Sequence, residues 1–482
     1  KGASCPWTSP SPALVGTGEK PISGTVSFYL AMLNPVSPYR RCSKCYESVE
    51  PAMGKKYDVV IVGGGFAGVA MAKELSGKEV QVVLIDKNNY HTFQPLLYQV
   101  STGGLEPDSI AYPIRKILQD YPNFYFRMAE LQQVLTESNE LVTNLGKLAY
   151  DHLVIAVGSE TNFFGNDEIE QNGMAMKSIP QSLNLRSMIL ENFEQALLTD
   201  DLHERDALMN FVIVGGGPTG VELAGALAEI KKGILPKDYP DLDTRRAQIN
   251  LIQSGDRILK EMSEKASKKA EDFLEGLGVQ IWKDTRVTGY DGKKVTTKTD
   301  LKFDAATLIW AAGVKGVSVK GLDFENIVRP GNRLKVNEFN QVEGYTNVYA
   351  IGDIACMEND DTPRGHPMMA QPAIQQGRHL GENIVRALDK KPFKPFEYKD
   401  KGSMATIGRN KAVVDLKNYR FQGVFAWFVW MFVHLFFLIG FRNRIVVFVN
   451  WVYNYVRFDR EARLIIRPYQ RDYSQFKDSD TA

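Results

Sequence analysis

Glycines at fixed spacing near residue 63 could bind the phosphates of a dinucleotide. Gly63, Gly65 and Gly68 form a G-x-G-x-x-G motif directly after the β-branched run 59–62. The first glycine allows a tight turn, the second lets the backbone approach a pyrophosphate, and the third lets the next helix pack on the strand. Amides at the helix N-terminus then meet the phosphates. Asp86 ends the next strand, where a carboxylate can accept hydrogen bonds from a ribose.

The same arrangement returns in the middle of the sequence. Gly215, Gly217 and Gly220 follow the run 211–214 and open a second helical stretch. A second nucleotide is therefore predicted, bound by a second domain. A flavin that stays bound and a nicotinamide that visits explain the pair, because hydride passes readily from one ring to the other.

The second motif differs from the first at the end of its next strand. The run 249–252 ends in Gln253 instead of an aspartate or a glutamate, and Arg257 is close in sequence. An uncharged amide does not repel a 2′-phosphate. We therefore expect this site to accept NADPH alongside NADH.

Strand and helix patterns alternate around both motifs. The short β-branched runs lie at 59–62, 80–85, 153–157, 211–214, 249–252 and 307–310. Such alternation predicts parallel βαβ units. The fold class is therefore expected to be α/β, with two Rossmann-like dinucleotide-binding domains.

Composition argues against nucleic acid and against a thiol framework. The formal net charge is +1, so the chain offers no basic field for nucleic acid. Its four cysteines are too few to cross-link a chain of 482 residues by disulfides. Only Cys42 and Cys45 have the C-x-x-C spacing found in redox and metal sites. One C-x-x-C without a second ligand pair is weak evidence for zinc, so no metal site is predicted.

The first 56 residues form a segment of different character. They are rich in Ser, Pro and Gly, show no sustained period and do not begin with methionine. Met53 and Gly54 followed by a strand look like a natural start. We interpret 1–56 as a disordered or non-native leader, whether a targeting segment, an expression remnant or upstream translated sequence.

Three further segments resemble the flavoprotein superfamily with two dinucleotide-binding domains. They are Leu153 to Gly158, Trp310 to Gly313 and Val348 to Asp353, and the resemblance covers 57–395. It implies that the NAD domain is inserted in the FAD domain and that Asp353 contacts the FAD. The alternative interpretation of Asp353 is a helix N-cap.

Two segments are similar to one family, the type II NADH dehydrogenases. They are F-Q-P-L-L-Y-Q-V-S-T-G at 93–103 and A-Q-P-A-I-Q-Q at 370–376. The resemblance implies that the first lies along the flavin and that the second helps form a quinone pocket, with Gln371, Ile374 and Gln375 as quinone-site candidates. An amide can hydrogen-bond a quinone carbonyl and stay neutral as the quinone is reduced. Without the family, two glutamines on a helix are usually solvent-facing.

Glu222, two residues past Gly220, matches the acidic residue of this family's second glycine motif. The resemblance implies a positional and electrostatic role between the nicotinamide and the quinone region. A glutamate in the first turn of a helix is also favoured by the helix dipole alone. The catalytic candidates are Glu222, Gln371 and Gln375.

The expected nucleotide-binding residues fall into two sets. The FAD set is Gly63, Gly65, Phe66, Ala67, Gly68, Asp86, Lys87, Thr102 and Asp353. The NAD(P)H set is Gly215, Gly217, Pro218, Thr219, Gly220, Glu222, Gln253, Ala312 and Gly313.

Cysteine positions exclude thiol-dependent members of the superfamily. Disulfide reductases and sulfide:quinone reductases need a cysteine pair beside the flavin. Cys356 stands alone after Asp353, and Cys42 and Cys45 precede the first glycine motif. Thiol substrates are therefore not expected.

The C-terminal region has the composition of a membrane-contacting segment. The run 424–440 is apolar on every face except at His434, at the short end of the roughly 17 to 25 residues that span a bilayer. The next run, 445–456, is followed by Arg457 and places Asn450 and Asn454 on one helical face, which predicts an interfacial helix. A dimer core is the alternative. The arginines expected to pair with anionic head groups are Arg442, Arg444, Arg457, Arg460, Arg463, Arg467 and Arg471.

The expected organisation follows from these segments. It is a leader (1–56), an FAD-binding domain in two parts (57–165 and 333–395), an NAD(P)H-binding domain (166–332) and a C-terminal helical membrane-anchoring region (396–482) attached to one leaflet. One short apolar segment cannot build a proton pathway across a bilayer.

The resemblance implies a non-proton-pumping NADH:quinone oxidoreductase. Hydride would pass from NADH to FAD, and two electrons would pass to a membrane quinone, ubiquinone or menaquinone. We expect it on the cytoplasmic face of a bacterial inner membrane, or on a mitochondrial or other organelle inner membrane, with a homodimer as one alternative for its oligomeric state. The alternatives are a soluble NAD(P)H:acceptor flavin reductase and a flavin redox sensor resembling apoptosis-inducing factor.

Overall fold

The computed structural model describes residues 56–360, 362–457, 460 and 462–466. The predicted leader, apart from Lys56, lies outside these residues. So do Cys5, Cys42, Cys45, Arg467 and Arg471.

A seven-stranded sheet forms around the first glycine motif. Its strands pair in the order β5-β2-β1-β8, and β8 turns back antiparallel through β7 to β6. The central strand is covered on both faces, which explains its continuous apolar sequence. The elements of this part are β1 (Lys56–Val62), α1 (Phe66–Leu75), β2 (Val82–Asp86), β3 (Tyr90–Thr92), α2 (Leu97–Ser101), α3 (Pro107–Ile110), β4 (Ala111–Pro113), α4 (Ile114–Ile117), β5 (Phe124–Met128), β6 (Leu131–Leu135), β7 (Glu140–Thr143), β8 (Gly146–Ile155) and β9 (Ser159–Thr161).

A second, five-stranded parallel sheet forms around the second glycine motif. Its strand order is β10-β17-β11-β12-β13, and a three-stranded antiparallel sheet, β14-β15-β16, accompanies it. The elements are α5 (Asp167–Asn172), β10 (Met174–Ala175), α6 (Ile179–Leu198), α7 (Leu202–Met209), β11 (Phe211–Val214), α8 (Pro218–Gly233), α9 (Leu235–Asp238), β12 (Ile249–Ile252), α10 (Glu264–Glu275), β13 (Gln280–Trp282), β14 (Val287–Tyr290), β15 (Lys294–Thr297), β16 (Lys302–Asp304), β17 (Thr307–Trp310) and β18 (Val314–Gly316).

A short ribbon connects the two sheets. The chain leaves the first sheet through β9 and returns through β18, and these two strands pair antiparallel. The five-stranded sheet is therefore an insertion between β9 and β18. Both glycine turns lie at the carboxyl ends of their strands, which is where open α/β sheets bind ligands.

The returning chain completes the first sheet and covers its glycine turn. The elements are β19 (Val328–Arg329), β20 (Arg333–Val336), β21 (Val348–Ala350), β22 (Ala355–Met357) and α11 (Ala370–Leu388). β21 pairs parallel with β8. α11 crosses α1 closely, because a Cβ atom on Gly377 would lie only 2.2 Å from the carbonyl oxygen of Ala67.

The C-terminal part begins with strands that the sequence interpretation did not foresee. A three-stranded antiparallel sheet precedes two helices. The elements are β23 (Ser403–Gly408), β24 (Lys411–Asp415), β25 (Arg420–Gln422), α12 (Val424–Phe437) and α13 (Phe441–Arg457). β23 packs directly on α8, because a Cβ atom on Gly225 would lie 1.8 Å from the carbonyl oxygen of Ile407.

The two C-terminal helices expose a large apolar surface. Among the described residues, no helix combines the length and the apolar character needed to cross a membrane. We name the exposed side chains of α12 and α13 the aromatic face. They are Val424, Phe425, Phe428, Phe432, Phe436, Phe437, Phe441, Ile445, Phe448, Val449, Val452, Tyr453, Tyr455 and Val456.

Polar residues of α13 point inward, contrary to the amphipathic pattern expected from the sequence. The Nδ2 atom of Asn443 donates to the carbonyl oxygens of Asp108 and Ala111, each at 3.0 Å. The Nδ2 atom of Asn454 donates to the carbonyl oxygen of Gly104 at 3.1 Å. These amides satisfy loop carbonyls that would otherwise be buried unpaired, so the apolar side chains are left on the outside.

Candidate active site

The first glycine turn has the shape of a phosphate cradle. Gly63 has φ of +113°, and a Cβ atom there would lie 2.2 Å from the carbonyl oxygen of Ala156. A Cβ atom on Gly68 would lie 1.9 Å from the carbonyl oxygen of Gly63. At Gly65, the N-cap of α1, no described atom lies within 4 Å of such a Cβ, and no side chain caps the helix. The first-turn amides thus face open space, which fits a dinucleotide phosphate.

Asp86 is held beside this turn by the backbone. Its Oδ2 atom accepts from the Gly64 amide and its Oδ1 atom from the Asn88 amide, both at 2.7 Å. Burial raises the pKa of this carboxyl, and the two amides oppose that shift. Lys87, the next residue, is exposed. The carboxylate therefore lies at the end of β2, where a ribose contact was predicted.

Phe66 and Ala67 follow the first glycine turn on α1, whereas Thr102 is the C-cap of α2. Ala67 is buried under the crossing of α1 and α11. The Phe66 ring meets the ring of His91 edge-on, with centroids 5.1 Å apart. The Oγ1 atom of Thr102 donates to the carbonyl oxygen of Tyr98 at 2.8 Å.

Asp353 lies in a single 3₁₀ turn and does not cap α11. The N-cap of α11 is Met369, so the N-cap interpretation of Asp353 is wrong. Its Oδ2 atom accepts from the Ser159 hydroxyl at 2.5 Å and lies 3.7 Å from the Nζ atom of Lys177. The carboxylate therefore lies beside the first residue of the ribbon between the two sheets.

The second glycine turn repeats the first in its details. Gly215 has φ of +112°, and a Cβ atom there would lie 2.5 Å from the carbonyl oxygen of Ala311. A Cβ atom on Gly220 would lie 1.9 Å from the carbonyl oxygen of Gly215. At Gly217, the N-cap of α8, no described atom lies within 4 Å of such a Cβ. Pro218 and Thr219 then begin the helix. Two cradles of one shape are thus present.

Gln253 holds the second glycine turn by the same type of hydrogen bond with which Asp86 holds the first. Its Oε1 atom accepts from the Gly216 amide at 2.9 Å. Arg257, which the sequence placed nearby, donates instead to the carbonyl oxygens of Met262 at 3.1 Å and Lys260 at 2.8 Å. A neutral acceptor therefore holds this turn, and two donors of the arginine are engaged with backbone.

The predicted quinone-site glutamines hold a neighbouring segment of backbone. The Nε2 atom of Gln371 donates to the carbonyl oxygen of Gly402 at 2.8 Å, and its Oε1 atom accepts from the Lys401 amide at 3.3 Å. Gln375 bonds both the carbonyl oxygen and the amide of Lys399, at 2.9 and 3.0 Å. Ile374 is half-buried between them on α11. Both amides thus fix residues 399–402 at the entrance to β23.

Glu222 lies deep in the interface between α8 and the C-terminal part. Its side chain is buried, with 8% of the residue exposed, and its Oε1 atom accepts from the Thr406 amide at 3.3 Å. Burial raises the pKa of Glu222 to about 8, and the Thr406 amide and the Trp430 indole oppose that shift. This carboxyl is therefore mostly protonated at neutral pH.

A cavity of about 120 Å³ opens beside Glu222. We name it the α8 cavity. The loop after α2, helices α8, α12 and α13, and the turn after β23 line it. Its lining residues include Tyr98, Gln99, Glu222, Glu229, Thr406, Trp427, Trp430, Trp451, Asn454 and Arg460. Most of its lining is apolar or aromatic, as in sites for small planar ligands.

The Trp430 indole lines this cavity beside Glu222 and opposes the rise in the pKa of that carboxyl. Trp430 is 2% exposed, and its Nε1 atom has no acceptor of normal geometry among the described residues. A second indole of the lining, Trp451, donates to the Oε1 atom of Gln99 at 2.8 Å, and the Nε2 atom of Gln99 donates to the Tyr98 hydroxyl at 2.8 Å. The sequence interpretation missed these residues. The family resemblance pointed to the segment 93–103, which contains Gln99. Only the fold brings Gln99 into contact with Trp451.

Ion pairs close the cavity on the side of the C-terminal chain. An Arg460 nitrogen lies 3.0 Å from the Oε2 atom of Glu229, and Arg460 also donates to the carbonyl oxygen of Thr102. Arg463 pairs with Asp238 at 2.8 Å. Two arginines that were predicted to face lipid head groups therefore pair with carboxylates of the protein.

Comparison with known proteins gives the family. A profile of the pyridine nucleotide-disulphide oxidoreductases matches residues 57–377, and one of the NDH2 C-terminal domain matches residues 401–460. The type II NADH:quinone oxidoreductase Ndh of Mycobacterium tuberculosis is 34% identical over 431 residues, which cover 86% of this chain and 91% of the relative. The chain belongs to the type II NADH:quinone oxidoreductases. The family predicted from segments 93–103 and 370–376 is confirmed.

Relatives and solved structures agree with this family. The internal alternative NAD(P)H-ubiquinone oxidoreductase A1, mitochondrial, of Arabidopsis thaliana is 30% identical over 485 residues, covering 93% of this chain and 92% of the relative. The structure of NDH2 from Plasmodium falciparum in complex with NADH covers 86% of this chain and 100% of its own, with 23% identity and a TM-score of 0.78. At that identity the likeness shows the fold, which is the predicted α/β class.

Proposed function

We propose that the chain oxidises NADH at the second glycine turn and reduces a quinone in the α8 cavity, at a membrane surface. As a member of its family it is an FAD-dependent NADH:quinone oxidoreductase that does not pump protons. Bound FAD supplies a two-electron redox centre between the two substrates. One NADH, one proton and one quinone give NAD⁺ and quinol.

The first glycine turn and its neighbours are proposed to hold the FAD. The open amides after Gly65 suit its pyrophosphate, and Asp86 at the end of β2 suits a ribose. Asp353 lies at the ribbon that leads to the second sheet, so it can contact the part of the cofactor between the two domains. These residues position the cofactor and exclude water.

The observation that carries the quinone assignment is a carboxyl with a raised pKa and an indole N–H side by side at one cavity. Protonated Glu222 can hold a proton for a quinone oxygen, and the Nε1–H group of Trp430 can donate to one. The apolar remainder of the lining suits a quinone ring. Gln371 and Gln375 remain quinone-site predictions, acting through the segment that they hold.

Replacing Trp430 by phenylalanine tests this assignment. The variant keeps an aromatic ring and removes the donor, so the KM for a short-chain quinone should rise about tenfold, which corresponds to one hydrogen bond of about 1.4 kcal/mol. The KM for NADH should not change. The matched control is Trp282→Phe in β13, whose indole donates to the Oδ1 atom of Asn250 outside the cavity. An unchanged quinone KM would remove Trp430 from the site.

The aromatic face is proposed to attach the protein to one leaflet. Its exposed Phe and Val side chains have the chemistry of the acyl-chain boundary, and the α8 cavity lies directly beneath both helices. A quinone can then enter from the lipid. We propose an inner membrane, the cytoplasmic face of a bacterial one or that of a mitochondrion or other organelle, and leave a homodimer as a prediction.

A further inference from the structure

An exposed phenylalanine lies beside the second glycine turn. Phe164 is 58% exposed, and it has φ of +54°, a left-handed conformation that bulky residues rarely adopt. It lies between β9, which ends at Thr161, and α5. Such a backbone persists only where surrounding contacts fix it, and conformations of this kind concentrate at ligand sites.

Local contacts fix this conformation. The Phe164 amide donates to the Oδ1 atom of Asn162 at 2.8 Å. The carbonyl oxygen of Asn162 accepts from the Nε1 atom of Trp310 at 2.8 Å, and the Asn162 amide donates to the carbonyl oxygen of Gly313 at 3.1 Å. The Phe164 ring meets the Trp310 ring edge-on, with centroids 6.5 Å apart. The exposed ring is therefore held on the end of β17.

The ring also touches the segment that packs against the glycine turn. A Cβ atom on Gly313 would lie 3.1 Å from the Cζ atom of Phe164. A Cβ atom on Gly215 would lie 2.7 Å from the Cα atom of Ala312. Continuous contact thus runs from the turn through Ala312 and Gly313 to the ring, so a nucleotide bound at the turn lies within reach of it.

Strand order decides which half of the nucleotide is near Phe164. β11, which carries the turn, lies between β17 and β12. Gln253 follows β12, on the side where the adenosine ribose binds in this fold. With the pyrophosphate at the α8 N-terminus, the other half of the molecule must extend toward β17. Phe164 lies at that end.

We propose that Phe164 contacts the nicotinamide riboside half of NADH and positions it, an inference that rests on the proposed NADH site. An exposed aromatic ring offers an apolar contact for a planar ring or a ribose face, with little conformational freedom left to lose. Phe164 is therefore a positioning and specificity residue for the reduced nucleotide.

The test uses the full-length protein with FAD bound. The variant is Phe164→Asn, because asparagine tolerates a left-handed backbone and a loss of function then reflects the missing ring. The KM for NADH should rise about tenfold while kcat at saturating NADH changes less than twofold. Phe164→Tyr, which keeps an aromatic ring, should retain the wild-type KM for NADH. The matched control is Phe324→Asn, an exposed phenylalanine on the loop after β18, which should leave both constants unchanged.

Binding measurements separate the two halves of the nucleotide. The inhibition constant of ADP, which lacks the whole nicotinamide riboside half, should not change in Phe164→Asn, whereas calorimetry should show about tenfold weaker NAD⁺ binding. Equal weakening of both ligands would overturn the proposal. So would a wild-type KM together with a lowered melting temperature. A wild-type protein that oxidises no NADH would instead overturn the proposed function.

Discussion

At the scale of residues, the same type of hydrogen bond holds both glycine turns, but the accepting side chains differ in charge. The side chain at the end of the second strand accepts from the middle glycine's amide in each, through Asp86 in one turn and Gln253 in the other. Glutamine keeps the hydrogen bond and removes the charge. Nucleotide preference can therefore change at this position without loss of the turn.

Replacing Gln253 by glutamate should restrict the nucleotide to NADH. The new carboxylate can still accept from the Gly216 amide, and its charge repels a 2′-phosphate. We expect the NADH to NADPH ratio of kcat/KM to rise at least about tenfold. The matched control is Gln280→Glu on β13, which should leave the ratio unchanged. A wild-type preference for NADH above about 10³-fold would contradict NADPH acceptance.

Glu222 should impose a pH dependence on quinone turnover. Since its pKa is raised to about 8, it loses its proton as the pH passes that value, and quinone turnover should fall there. Glu222→Gln should lower turnover and abolish this alkaline limb. Ferricyanide reduction by the wild type should lack the limb. Glu275→Gln, an exposed site at the end of α10, serves as the matched control. Unchanged kinetics would remove Glu222 from the mechanism.

The Glu222 carboxyl should also make the free energy of unfolding depend on pH. The unfolded chain releases its proton near the ordinary pKa of 4.5, whereas the folded chain holds it to about 8. The folded state binds more protons between these values, so the free energy of unfolding falls as pH rises through that window. Relative to Glu222→Gln, the wild type should therefore lose stability from pH 4.5 to 8 in denaturant titrations.

At the scale of elements, one helix connects the second glycine turn to the α8 cavity. α8 begins at the second glycine turn, carries Glu222 in its second turn and packs on β23 through Gly225. β23 in turn provides the Thr406 amide that Glu222 accepts. The position of the acid relative to the cavity thus depends on how closely α8 and β23 approach.

Substituting Gly225 by alanine should separate these elements. A Cβ atom there would meet the carbonyl oxygen of Ile407 at 1.8 Å, so backbone must move, at a cost of about 1 to 3 kcal/mol. Quinone turnover should fall more than ferricyanide reduction, because the Thr406 amide leaves Glu222. Gly276→Ala, at the C-cap of α10, is the control, and thermal unfolding with both kinetic assays is the measurement. Equal loss in both assays would contradict this coupling.

At the scale of the whole molecule, different parts of the chain form the proposed nucleotide and quinone sites. The nucleotide turns lie at the carboxyl ends of the two sheets, whereas the α8 cavity lies under α12 and α13. The aromatic face on those helices gathers exposed apolar side chains on neighbouring turns, and large patches of this kind mark interaction or membrane-contact sites. The proposed membrane attachment and the proposed quinone entry therefore share one surface.

Three substitutions on α12 should weaken membrane attachment. Phe428, Phe432 and Phe436 are exposed at helical spacing, so changing all three to serine removes one apolar stripe. Binding to phosphatidylcholine vesicles should fall at least about tenfold, given about 1.5 to 3 kcal/mol for each fully buried phenylalanine. A triple change of Leu198, Leu202 and Phe324, all exposed elsewhere, is the control. Flotation is the measurement, and equal binding of both triples would contradict the proposal.

Local pattern was sufficient for the nucleotide turns and their strands. The runs 211–214, 249–252 and 307–310 form strands with those bounds, and both glycine motifs form the predicted tight turn and close packing, with a positive φ at the first glycine. These features depend on residues close together in sequence, on which sterics and strand propensity act directly. The cysteine pattern and the paired turns likewise limited the class of enzyme before any fold was known.

Contacts between residues distant in sequence determined how the candidate site is assembled. The sheet β23 to β25, the inward asparagines of α13 and the use of Gln371 and Gln375 to hold 399–402 depend on partners distant in sequence. The raised pKa of Glu222 comes from burial against the C-terminal part, where its partner Thr406 lies 184 residues away in the sequence. The sequence by itself determined which nucleotides bind and where their turns lie. Tertiary packing alone decided the protonation of Glu222 and the cavity beside it, because desolvation depends on every element that covers a group.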